Sequence, residues 1–171
     1  MTNFDAVPLS HRSDEVLFLI VSAGRPALGT VERIVTEKQQ GHQVRVIATP
    51  QAAQWLDRAE IERLTGYDLE SAMLTPENSA LSPVGNRVLA TPVTLNTLTK
   101  WADGHSDNLA IGLLCEALGA GIPIVAELSL SPQFLRHPAV PGAVQRLKAA
   151  GVEFRSHPMS TVPIDWTVLD G

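Results

Sequence analysis

The stretch Val16–Val21, VLFLIV, carries no polar side chain, and no other stretch constrains the fold as tightly. Successive residues of a strand point to opposite faces. A strand that is apolar at every position therefore needs cover on both sides, as a central strand of a parallel sheet has between layers of helices. The residues that follow supply such a layer. "SAGRPALG" reads as a turn. "LGTVERIVTEKQQG" then sets Leu28, Val31, Ile34 and Val35 on one helical face, with Glu32, Arg33, Glu37 and Lys38 elsewhere. Gly41 ends that helix.

The alternation continues along the chain. "HQVRVIAT" is a second strand, and Thr49-Pro50 opens helical material that runs in two pieces to Gly66. Residues Tyr67 to Gly85 have no clear period. "NRVLAT" is a third strand, followed by helical segments around Thr94–Trp101 and Asp107–Leu118. "IPIVAEL" is a fourth strand, "VPGAVQRLKAAG" a helix closed by Gly151, and "VEFRS" a fifth strand. Strands alternating with helices predict an α/β fold, a doubly wound, Rossmann-like (flavodoxin-like) three-layer sandwich around a mainly parallel sheet. The expected boundaries are an N-terminal arm over residues 1–15, the domain over 16–156, and a tail over 157–171 that packs on the domain or on a neighbouring subunit.

Composition narrows the function classes. With 171 residues, 44% apolar and 18% charged, the chain is one globular domain. A net charge of -5 offers no basic footprint for nucleic acid. No apolar run reaches the roughly 20 residues of a membrane span. The first fifteen residues lack the order of a signal peptide, so a reducing cytoplasm is the expected location. A single cysteine, Cys115, excludes an internal disulfide and reads as an inert helical residue. The carboxylates are scattered and no Cys/His cluster appears, so no metal is expected.

Right-handed crossovers bring the C-terminal ends of parallel strands to one edge, where ligands bind. Three strands end there in small or hydroxyl residues: Ser22-Ala23-Gly24-Arg25 after the first, Thr49 after the second, and Thr91, Thr94, Asn96 and Thr97 after the third. Helix N-termini present unpaired N–H groups and a positive dipole end. Small side chains let an anion approach, which suits a phosphate. The same residues also serve as ordinary N-caps, and both readings stand at this point. Arg25 either pairs with the phosphate or is a solvated loop residue. "SAGRPALG" lacks the G-x-G-x-x-G spacing, and there is no G-x-x-x-x-G-K-[ST].

The order of these pieces resembles the homo-oligomeric flavin-containing cysteine decarboxylases, the flavoprotein family that includes phosphopantothenoylcysteine decarboxylase and the lantibiotic-peptide decarboxylases. "LIVSAGRPALGTVERIVTEKQQGHQVRVIATPQAAQWL" aligns without gaps to that family's first β-α-β unit, and "ERLTG" matches the usual ending of the next segment. "TPVTLNT" occupies the place of its P-A-S-A-N-T element, with Thr94 standing for the serine. "GHSDNL" fits its G-x-x-D-N-L through Gly104, Asp107, Asn108 and Leu109. The resemblance implies FMN as cofactor, held by Ser22, Gly24, Arg25, Thr49, Thr94, Asn96 and Thr97. Asp107 and Asn108 belong to the same implied set, positioning a neighbouring loop or reaching across a subunit interface. Trp55 and Trp101 either pack on the flavin or are core or interface aromatics. The resemblance also implies a homotrimer, in some members a dodecamer, and two-electron oxidation of a cysteine-type thiol followed by loss of carbon dioxide.

The chain departs from that pattern where the family does its proton transfer. The histidine before the third strand falls at Asn78 here. The P-x-M-N-x-x-M-W segment reads "ELSLSPQFLRHP": Glu127 replaces the proline, Ser129 and Leu130 replace the Met-Asn pair, and Phe134 keeps an aromatic in place of tryptophan. Ala23-Gly24-Arg25-Pro26 replaces G-S-I-A. The candidate catalytic groups are then His105, as a titrating base, and Asn96. Glu127 is either a functional acid or one half of a salt bridge. Three readings remain: an FMN-dependent enzyme with altered or lost decarboxylase activity, a non-catalytic or regulatory subunit on the same scaffold, and a nucleotide-binding domain without flavin.

Overall fold

Five parallel strands in the order β2-β1-β3-β4-β5 form the sheet. They are β1 (Val16–Val21), β2 (Gln43–Ala48), β3 (Arg87–Val93), β4 (Ile124–Leu128) and β5 (Glu153–Ser156). The molecule is known from a computed structural model, which describes residues 15–73 and 85–158. The expected arm apart from Glu15, the tail beyond Pro158, and Asn78 lie outside the described residues. β1 is buried at all six positions, as its sequence requires. Leu19 pairs with Val46 on one side and with Leu89 on the other. Each such side chain contributes about 1.5–3 kcal/mol by leaving water.

The period-2 alternation sorts the strand residues into two apolar clusters. Leu17, Leu19, Val21, Val44 and Val46 pack against Ile34 of helix α1 (Thr30–Gln39) and Ile61 of α3 (Arg58–Thr65). Phe18, Ile20, Val88 and Ala126 pack on the opposite face. There they meet helices α4 (Leu95–Ala102), α5 (Leu109–Gly119) and α7 (Ala139–Ala149). Two short helices, α2 (Pro50–Ala53) and α6 (Pro132–Leu135), follow β2 and β4. The three-layer, doubly wound architecture is the one the sequence predicts.

Local signals account for most boundaries. Asp57 caps α3 by accepting from the Glu60 N–H, and Gly66 ends it at φ 76°, a left-handed conformation that glycine adopts without strain. Residues after α3, expected to be irregular, contribute one edge contact. Glu70 bridges to Ile47, and the Ala48 N–H donates to the Glu70 carbonyl at 2.8 Å. The chain thus pairs with the outer edge of β2 at its C-terminal end, around residues 46–48, where backbone groups would otherwise be unpaired. At Gly85 a Cβ would lie 2.6 Å from the Phe18 ring, so only glycine fits against that core side chain.

Two expectations need correction. Leu28 lies in a 3-10 turn (Arg25–Gly29) ahead of α1 and is 67% exposed, and Val35 is exposed as well, so the inward face of α1 rests on Ile34. The strand expected to end at Thr91 continues through Pro92 to Val93. The β3–β4 register shifts between Ala90 and Val93, an irregularity at which a residue without an N–H is tolerated.

Candidate functional site

The sheet order reverses direction between β1 and β3. α1 lies on one face after β1 and α4 on the other after β3, so the chain diverges and leaves a crevice at the strand C-termini. A cleft of about 830 Å3 occupies this position, within the range of small-molecule and cofactor sites. Ala23, Gly24 and Arg25 enter it after β1, and Thr49, Pro50 and Gln51 after β2. Thr94, Leu95, Asn96 and Thr97 enter after β3, Asn108 from the start of α5, and Ser129, Ser131 and Phe134 after β4. Arg25 is the one charged residue among these, so the described lining is hydroxyl, amide and apolar with a single cation.

Each hydroxyl has a specific assignment. Ser22 is 1% exposed and donates to Thr97 Oγ1 at 2.8 Å, and its N–H donates to the Pro92 carbonyl at 3.2 Å. This pair ties the loop after β1 to the first turn of α4, behind the cleft lining. Thr49 caps α2 by accepting from the Ala52 N–H, and Asn108 caps α5 by accepting from the Ile111 N–H. Both are ordinary N-caps and cleft residues at once. Thr94 differs: it holds the N-cap position of α4 but makes no side-chain cap. The first turn of α4 therefore keeps its N–H groups without a side-chain acceptor, next to the cleft.

Gly24 shapes the opening between β1 and β3. A Cβ there would lie 3.2 Å from Thr94 Cγ2 and 3.3 Å from Pro92 Cγ. The backbone of Gly24 is extended, with φ -114° and ψ 157°, so space rather than conformation requires the glycine. Its absent side chain leaves the two loops close enough to form one continuous wall.

Other candidates lie outside the cleft lining. Asp107 is exposed and pairs with Lys100, whose hydrogen bond holds the Asp107 carboxyl below the usual carboxylate range. His105 is exposed in the turn between α4 and α5, with its N–H on the Lys100 carbonyl at 2.9 Å. Cys115 donates to the His105 carbonyl at 3.3 Å, and burial, aided by Glu116, pushes its thiol up, as suits an unreactive position. Trp101 is a core residue at 2% exposure, whereas Trp55 is 44% exposed. Neither lines the cleft. Thr91, expected at the ligand edge, is buried on the α1 face of the sheet and donates to Glu127 Oε2 at 2.6 Å. Glu127 is 3% exposed and accepts a two-pronged contact from Arg33 at 3.2 and 3.0 Å.

The sequence reading missed Gln51 and Ser131 as lining residues. A signal existed for the second. Ser131-Pro132 repeats the Thr49-Pro50 pattern of a hydroxyl N-cap with proline in the first turn, and it marks α6, which carries Phe134 into the cleft wall.

A parallel α/β sheet with an open crevice at its topological switch, lined by one cation and several neutral donors, defines a Rossmann-like protein with a cofactor-sized site. The chain belongs to the flavoprotein family, whose pattern its residues 8–168 match under the description Flavoprotein. Solved structures share the fold. The FMN-dependent cysteine decarboxylase SpaF superposes with a TM-score of 0.72 at 22% identity, covering 88% of each chain. The cypemycin decarboxylase CypD gives 0.68 at 25% identity over 83% of this chain and 82% of its own. AnUbiX (PadA1), solved with FMN and dimethylallyl pyrophosphate, gives 0.70 at 12% identity over 82% of this chain and 76% of its own. No curated protein matches at the sequence level. Among the described residues no helix is long and apolar enough to cross a membrane.

Proposed function

We propose that this protein binds FMN in the cleft between β1 and β3 and acts on a cysteine-type thiol or another small substrate, with decarboxylase activity altered or lost. The observation that carries the reading is the close approach of the loops at Gly24, next to the uncapped start of α4. Without a side chain there, the loop after β1 packs against Thr94 and Pro92 with no room left for a Cβ. Beside that contact lies the uncapped first turn of α4, and Arg25 supplies positive charge at the rim. An anion such as a phosphate is favoured by this set, and the chemistry of the donors fits an FMN. Gly24, Arg25, Thr49, Thr94, Asn96, Thr97 and Asn108 would hold it, with Ser22 fixing Thr97 from behind.

Flavin bound there would supply two-electron chemistry, while the protein binds and orients. Phe134 and Leu95 would shield the cleft from water on the apolar side, and Asn96 would offer an amide to substrate. The assembly is a homotrimer, which the family resemblance supports, and the cytoplasm is the location in which we place it. Leu28 and Val35, apolar and exposed, are surface that a neighbouring copy would cover.

One observation favours a second reading, a non-catalytic or regulatory subunit. The described cleft residues comprise Arg25, amides, hydroxyls and apolar groups, none of which exchanges a proton readily near neutral pH. The spectrum and mass of the cofactor released from purified protein test the proposal. FMN binding predicts absorbance near about 450 nm and one FMN per chain. A preparation that stays colourless after incubation with FMN refutes it and leaves a nucleotide-binding domain without flavin. Bound FMN with no carbon dioxide released from cysteine-terminated substrates, together with tight association with an active relative, selects the second reading.

A further inference from the structure

Behind the cleft, on the α1 face of the sheet, lies a partly buried ionic cluster that the proposed function does not use. Arg33 reaches both oxygens of Glu127 at 3.2 and 3.0 Å, and its Nε donates to Glu37 at 2.8 Å. Thr91 Oγ1 donates to Glu127 Oε2 at 2.6 Å. Glu37 in turn meets His42 Nδ1 at 3.0 Å, and His157 Nε2 lies 3.9 Å from Glu127. Burial alone would lower the Arg33 guanidinium, but the charges and hydrogen bonds of Glu127 and Glu37 outweigh it, and its proton is held more tightly than usual. The Glu127 carboxylate is buried while the Arg33 side chain stays 24% exposed, and an ion pair with one buried member is a poor source of net stability compared with apolar packing, so its placement calls for another account.

The three partners lie on the elements that carry the cleft. Arg33 is on α1, which follows the loop bearing Gly24 and Arg25. Thr91 precedes Thr94 by three positions on β3, and Glu127 precedes Ser129 by two on β4. A bidentate guanidinium–carboxylate contact has fixed planar geometry, and the Thr91 hydroxyl fills a further acceptor site on the same carboxylate.

We propose that Glu127 is a positioning residue that locks the loops after β1, β3 and β4 in a common register, so that the cleft is preformed for its ligand. The inference rests on the FMN reading for the identity of that ligand, though the locking itself does not.

The test uses the full chain and two variants. Thr91→Val removes one hydroxyl at nearly constant volume and leaves the Arg33–Glu127 pair intact. Glu127→Gln removes the charge. Hydrogen exchange of the cofactor-free proteins, read by mass spectrometry, is expected to rise together in residues 22–25, 93–97 and 128–131. In α3, which packs on the same face outside the cluster, exchange stays as in wild type. FMN titration followed by flavin fluorescence is expected to show a Kd about fivefold weaker for Thr91→Val, the size of a coupling transmitted through one contact. If Glu127→Gln fails to fold, Thr91→Val alone decides. Exchange that is unchanged in these segments, or that rises equally in α3, overturns the proposal, because the cluster is then only structural. Unchanged FMN affinity in Thr91→Val overturns it as well. If wild type binds no FMN, the FMN reading falls, and the exchange pattern by itself upholds or overturns the locking.

Discussion

Replacing Gly24 with alanine probes the cleft with the smallest possible change. The new Cβ would sit 3.2 Å from Thr94 Cγ2, 3.3 Å from Pro92 Cγ and 3.7 Å from Pro26 Cδ. Carbon atoms prefer about 3.5–4.0 Å, so Thr94 and Pro92 must each retreat by a few tenths of an ångström. Thr94 makes no side-chain cap that would resist this, whereas Pro92 is buried in β3. Overpacking costs about 1–3 kcal/mol. The backbone of Gly24 already suits alanine, so the stiffer unfolded chain returns about 0.4–1 kcal/mol. The net loss is about 1 kcal/mol, or a Tm lower by about 2–4 °C for a chain of this size. FMN binding should suffer more, because Thr94, which the methyl group displaces, lines the cleft itself: a loss of about 1.4 kcal/mol or more, at least about tenfold in Kd. Gly24→Val should abolish binding while the protein still folds. Thermal unfolding of the cofactor-free protein and fluorescence titration with FMN measure the two effects separately. Wild-type FMN affinity in both variants would mean that the ligand does not approach Gly24, and the site would have to be redrawn.

Arg25→Gln is expected to weaken FMN by about tenfold or more and to flatten the salt dependence of binding, as for loss of a hydrogen bond to a charged group; a titration at two ionic strengths reads both. Ser22→Ala leaves the buried Thr97 hydroxyl without its partner and should cost about 1–3 kcal/mol in denaturant unfolding, with Ser22→Ala/Thr97→Val less than additive. His157 is held below its ordinary value by burial and secondarily by Arg33, with Glu127 opposing. A depressed folded-state value means that the unfolded chain binds the proton first. Stability is therefore full above about pH 6.5 and falls as pH drops toward the folded-state value; Tm measured between pH 7.5 and 5 should decline less in His157→Gln than in wild type, within about that window.

The layers were legible because burial leaves a mark at each position of the sequence. A strand covered on both faces has no room for polar residues, and β1 shows this at all six of its positions. Helix ends were legible where chemistry is local, as at Thr49-Pro50, Asp57 and Gly66. The outward turn of Leu28 was not. A period of 3.6 was carried back into a segment that winds as a 3-10 turn with about three residues per turn, and that change of phase moves Leu28 off the buried stripe. Proline normally interrupts a ladder, so the local sequence ends β3 at Thr91, and only the β3–β4 register reveals the shift that accommodates Pro92.

The cleft was legible in kind, since hydroxyl and amide residues after strands collect on one edge of any right-handed parallel sheet. Which of them face the cleft was not, because direction depends on pairing. Thr91 and Thr94 are close in sequence, yet one is bonded to Glu127 on the α1 face and the other lines the cleft. Glu127 shows the same limit over a longer range. Its partner Arg33 is 94 positions away, and the two meet only because β4 lies next to β3 and α1 covers that part of the sheet. Read alone, Glu127 at the end of a strand is either a functional acid or one half of a salt bridge. Beside Arg33 and Thr91 it is the salt-bridged member of a cluster, with a partner on each of its oxygens, and this geometry has no counterpart in the local sequence around either residue.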